Sequence, residues 1–110
     1  MDHSILDDVR SMIGPDTVDV FDDELIIHIN SLLSTLAQVG ACAKGSYITN
    51  GSTVWSDIFT DPAILVKAKT FIYYKTKLGF DPPPNSFTLE SYKALADEEL
   101  WRINSDADYS

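Results

Sequence analysis

The chain has 110 residues, 45% of them hydrophobic and 23% charged, which fits one ordinary globular domain and argues against a second core, a disordered chain or a membrane protein. Seventeen acids against eight bases give a net charge of -9, and that works against a phosphate-neutralising nucleic-acid surface. The only cysteine, Cys42, cannot form an internal disulfide or a multi-thiolate metal site, so a reducing compartment fits.

The N-terminus, Met1-Asp2-His3-Ser4, carries acid where a secretory signal carries a basic segment, so export by that route is not expected. Ser4 is placed to cap a first helix running to about Ile13, with Asp7 and Asp8 near its positive end and Gly14-Pro15 as the stop. Asp22 caps the next helix, in which Leu25, Ile26, Ile29, Leu32, Leu33, Leu36 and Val39 fall in an arc about 140° wide, and Gly40 closes it. From Ala41 the helical period disappears. Tyr47-Ile48-Thr49 and Ser52-Thr53-Val54 flank Asn50-Gly51, which predicts a small β-hairpin or an extended loop. Val54 to Phe59 has room for one helical turn. Asp61-Pro62 then heads a helix reaching about Leu78, with Gly79 after it. The corner Asp81-Pro82-Pro83-Pro84 is stiff, because each proline fixes its own φ and biases the residue before it. Asn85 or Ser86 caps the last helix, whose Leu89, Tyr92, Ala96, Leu100 and Ile103 share one side, with a flexible tail from about Asn104. The expected architecture is all-α: one domain over 1–110, a small bundle of four main helices plus a short β-hairpin or extended loop near residues 46–54.

Several residues are more than such a bundle needs. Ile27, Val66, Tyr73 and Trp101 lie away from the apolar stripes of their helices, which marks candidate partner surfaces. Charge is also unevenly spread: residues 1–24 carry -7, 25–60 balance at zero, 61–80 carry +3 and 81–110 carry -5. Lys67, Lys69, Lys75 and Lys77 are the only basic concentration. Lys75 projects into the apolar arc, where it either snorkels or pairs with a carboxylate. If copies pack side by side, the basic helix of one faces the acidic first helix of the next, a heterologous contact of the kind that closes rings.

Chemistry finds little support. The glycines Gly14, Gly40, Gly45, Gly51 and Gly79 are spaced as helix stops and turn residues, with no phosphate-cradling loop. His3 and His28 lack the spacing of a zinc pair, and Cys42 with His28 lacks a third group. The pairs Asp7-Asp8, Asp22-Asp23 and Glu98-Glu99 point about 100° apart on a helix, which suits caps and solvated faces better than shared acid-base work. No catalytic, metal or cofactor site is expected.

The run Val66 to Tyr92, VKAKTFIYYKTKLGFDPPPNSFTLESY, together with residues 23–31 and Thr53-Val54-Trp55-Ser56-Asp57, resembles the small head-tail connector (adaptor) proteins of long-tailed bacteriophages and prophages. The resemblance runs in order from about Ile5 to Ile103. It implies an all-α virion protein that forms a ring, typically of twelve copies, docks on the portal and extends the DNA channel toward the tail. The implied partners are further copies, the portal and a downstream head- or tail-completion protein, assembled in the bacterial cytoplasm, with DNA passing unread and no membrane. Carried onto this sequence, the motif positions are Trp55, the helix with Tyr73, Tyr74 and Lys75, and the corner with Phe80, Asp81, Pro82 and Pro83. Trp55, Phe71, Phe80, Leu32 and Leu36 are expected as core anchors, and Lys75 in a structural or intersubunit ion pair. Ile27, Val66, Lys67, Lys69, Tyr73, Lys75, Lys77 and Trp101 are the interface candidates. The loop from Ala41 to Gly51 carries no distinctive motif. The alternative from another class is a small acidic regulatory protein that mimics DNA and binds a basic DNA-binding partner.

Overall fold

The computed structural model describes residues 4–13, 22–48, 52–80 and 84–108. They form five helices: α1 Ile5–Ile13, α2 Asp22–Gln38, α3 Trp55–Ile58, α4 Pro62–Phe80 and α5 Ser86–Asp108. The fold is all-α. Gly14-Pro15, the Asp22 side chain, Asn50-Gly51, Asp81-Pro82-Pro83 and the final residues 109–110 lie outside what is described; Pro84 is exposed in the bend before α5.

The helix ends follow local chemistry. Ser4 Oγ accepts the Asp7 amide at 3.0 Å, satisfying one of the free donors of the first turn of α1. α2 ends in a Schellman motif: Gly40 takes φ 86°, its amide donates to Ala37 O at 3.1 Å, and the Ala41 amide donates to Leu36 O at 2.9 Å. Asp61 Oδ1 accepts the Ala63 amide at 2.9 Å, with Pro62 as first residue of α4, where its missing N–H costs nothing. Asn85 Oδ1 accepts the amides of Phe87 at 2.8 Å and Thr88 at 3.3 Å, so Asn85 rather than Ser86 is the cap of α5.

Of the two alternatives that the sequence offers for 46–54, the described residues take the extended loop, and two helix ends are corrected. No strand occurs among the described residues of 46–54: Val54 forms an isolated antiparallel bridge with Ser4, and Thr53 O accepts the Ile5 amide at 2.9 Å. The Ile48 backbone is satisfied separately. The Asn30 side chain holds it, donating to Ile48 O at 2.9 Å and accepting the Ile48 amide at 2.7 Å. α4 runs through Gly79 to Phe80, and Gly79 is not at positive φ. α5 continues past Asn104 to Asp108.

α4 is the hub, packing most extensively on α5 and also on α1 and α2. Its Ile64, Ala68, Phe71 and Ile72 are buried with Leu25, Ile29, Leu33 and Leu36 of α2, Ile5 and Val9 of α1, and Ala96 and Ile103 of α5. Ile48 is buried too, so the loop after α2 is part of the core. Asn30→Ala is expected to destabilise the fold by about 2 kcal/mol, because it removes two hydrogen bonds and strands the Ile48 backbone. Urea denaturation measures this; a loss under about 0.5 kcal/mol would show that water replaces the side chain without penalty.

Candidate assembly surface

Trp55 is fully buried and joins three helices. Its indole Nε1 donates to Asp8 Oδ2 on α1 at 2.7 Å, Lys69 Nζ of α4 lies 5.1 Å from its ring centroid, and Phe59 packs at 6.2 Å. A cation over an indole face is attracted by the ring's negative quadrupole, so Lys69 is engaged within its own chain. Phe71, Leu32 and Leu36 are buried in the same core, whereas Phe80 is half-buried at its edge.

Phe80 meets the His28 ring edge-on at 5.2 Å. On the same imidazole, Nε2 lies 3.1 Å from Oγ1 of Thr76, sharing a hydrogen bond whose direction the ring tautomer sets. Thr76 is completely buried, so this bond satisfies its hydroxyl at the α2–α4 contact. Burial, aided by the nearby Lys75 charge, holds the His28 pKa below its ordinary 6.5. The unfolded chain therefore binds a proton first as pH falls, and stability drops once pH passes below about 6.5, levelling off beneath the folded-state pKa. His28→Gln is expected to flatten this dependence between pH 7 and 5, as read by thermal melts; an unchanged pH slope would assign it to other groups.

Lys75 does not pair with a described carboxylate; its ammonium sits 6.0 Å from the Phe71 ring centroid. Lys67 and Lys77 are half-buried on α4. The carboxylates of α1 are used at home: Asp7 pairs with Arg10 at 3.0 Å and Asp8 holds Trp55.

The large apolar side chains facing solvent are what this core leaves over. Ile27 is 70% exposed, Val66 66%, Phe87 80% and Trp101 68%. Tyr73 is half-buried, stacked edge-on against Tyr74 at 5.3 Å, which in turn meets Tyr92 of α5 at 5.1 Å. Helical rotation sorts them. Val66 and Tyr73, seven residues apart, share one line on α4 opposite Ala68, and Phe87, Ala94 and Trp101 share one on α5 opposite Ala96. Ile27 stands by itself among Glu24, Ser31 and Ser34 on α2. The candidates thus belong to separate faces and do not converge on a single pocket. Phe87 and Tyr47, the latter 64% exposed, were not singled out by sequence as surface residues. For Phe87 the signal was available, because its rotation from Ala96 is about 180°.

Among the described residues no group of three or more His, Cys, Asp or Glu is placed to hold a metal ion. An open depression of about 520 Å³ beside the loop after α2 is lined by Cys42, Ser46, Asp57, Thr60 and Asp61. Burial pushes the Cys42 thiol up, the opposite of what an activated nucleophile requires. No described helix is long and apolar enough to cross a membrane.

A family model described as phage connector protein matches residues 5–110. No curated protein and no solved structure matches the chain.

Proposed function

Because the chain belongs to the phage connector protein family, we propose that it is a structural virion component that joins the DNA-filled head to the tail. Copies form a ring, of twelve subunits as in the connectors it resembles, that docks on the portal and extends the DNA channel toward a downstream completion protein. Assembly takes place in the bacterial cytoplasm, and no reaction is catalysed. The observation that carries this reading is the family match over residues 5–110, nearly the whole chain.

The surface supports it. A domain with its own core and capped helices has no internal need for an outward Ile27, Val66, Phe87 and Trp101, whereas a subunit with neighbours on several sides does. The net charge of -9 suits a channel component that must let DNA slide without adhering. A DNA mimic would instead array unpaired acids along one surface. Here Asp7, Glu90, Glu98 and Glu99 each lie within ion-pair distance of a base of their own helix.

Purified chain mixed with portal rings of the same phage is expected to co-sediment as a defined complex visible as an added tier in negative-stain images. Portal rings that sediment unchanged at saturating chain concentration would contradict the docking.

A further inference from the structure

α4 and α5 each carry an outer line with the four-three spacing that lets helices pack side by side. On α4 the line runs Val66, Thr70, Tyr73 and Lys77; on α5 it runs Phe87, Ser91, Ala94, Glu98 and Trp101. Such spacing keeps one face in contact with a neighbouring helix over several turns. By helical rotation the α4 line lies opposite the buried Ala68 and the α5 line opposite the buried Ala96. The α5 line spans about 21 Å from Phe87 to Trp101, long enough for three to four turns of a partner helix.

Their charges are complementary. α4 contains four lysines and no carboxylate, whereas α5 contains six carboxylates, Glu90, Asp97 and Glu98 among them beside the apolar line, against Lys93 and Arg102. α1, the other negative helix, has only Asp7 and Asp8 against Arg10, a much smaller negative excess than that of α5. This turns the expected partner of the basic helix from α1 to α5.

We infer that the outer face of α5 in one copy, centred on Ala94 and Trp101, packs against the outer Val66–Tyr73 face of α4 in the next copy. The contact is heterologous: each copy offers α5 on one side and α4 on the other, so contacts propagate until a ring closes. Apolar side chains fill the centre and opposite charges fix register around it. The inference rests on the ring reading proposed above and assigns its subunit junction.

The test is thiol cross-linking in assembled particles with a short bismaleimide. The phage gene carries Cys42→Ala, to remove the native thiol, with Val66→Cys and Ala94→Cys. Both introduced positions are exposed, so folding is not at stake, and Ala94 sits mid-line, within one heptad of Val66 in any register. The expected result is a ladder of multimers of the chain, with each single-cysteine version giving monomer only. A repeat with Glu98→Cys in place of Ala94→Cys covers a one-turn shift. Particles that contain the chain at normal occupancy but give no ladder with either pair would overturn the junction while leaving the ring standing. So would dimers from a single cysteine, which indicate a symmetric contact, or cross-links from Ala94→Cys to a different protein. Particles lacking the chain altogether would remove the ring reading and the junction together.

Discussion

Replacing Trp55 with Ala is expected to destabilise the isolated chain by about 3–5 kcal/mol, the range for emptying a large aromatic site in a core. Domains of this size have total stabilities of only about 5–15 kcal/mol, so the variant approaches unfolding at 37 °C. The size of the effect follows from what the indole joins. It is fully buried, its Nε1 holds Asp8 of α1, its face receives Lys69 of α4, and it opens α3. Removing it leaves a cavity where three helices meet and frees α1 from the hub. Trp55→Phe separates the contributions: most of the packing stays and only the hydrogen bond to Asp8 goes, for about 1–2 kcal/mol, since Asp8 is half-exposed and water can reach it. Urea denaturation of both variants gives the comparison. Equal losses for Phe and Ala would mean that the hydrogen bond, and not the packing, secures the site.

Trp101→Ala is expected to do the reverse, leaving the fold intact and damaging assembly. The side chain is 68% exposed, so the melting curve of the isolated chain should move by no more than about 0.5 kcal/mol. A tryptophan at the centre of a desolvated contact typically contributes about 2 kcal/mol or more, roughly 30-fold in each pairwise constant. In a ring that loss recurs at every junction, so occupancy of the chain in particles and infectious titre should fall together. Particles with normal occupancy and titre would place Trp101 outside any contact that matters.

How far the sequence reached depends on the range of the interaction. Ser4, Gly40, Asp61-Pro62 and Asn85 act on amides or carbonyls within five residues, so their roles follow from residue type and spacing. The contacts that tie helices together lie far apart in the chain. Asp8 with Trp55, Asn30 with Ile48 and His28 with Thr76 pair residues 47, 18 and 48 positions apart, and none follows from spacing. Asn50-Gly51 gave a hairpin signal, but the flanking backbone found partners elsewhere, Ile48 in Asn30 and Thr53 in Ile5. Gly79 reads as a stop because glycine weakens helices, yet α4 continues one residue beyond it to Phe80, which packs on the His28 ring. On the surface, the periodicity exposed Ile27, Val66 and Trp101 as surplus. Phe87, beside the proline corner, obeys the same rotation, about 180° from Ala96, and is 80% exposed.

The central claim is that this chain joins head to tail, and deletion of its gene from the phage or inducible prophage tests it most directly. Electron microscopy of the lysate is expected to show filled or leaky heads alongside unattached tails, with infectivity restored when the chain is supplied in trans. Normal, infectious virions from the deletion would contradict the account.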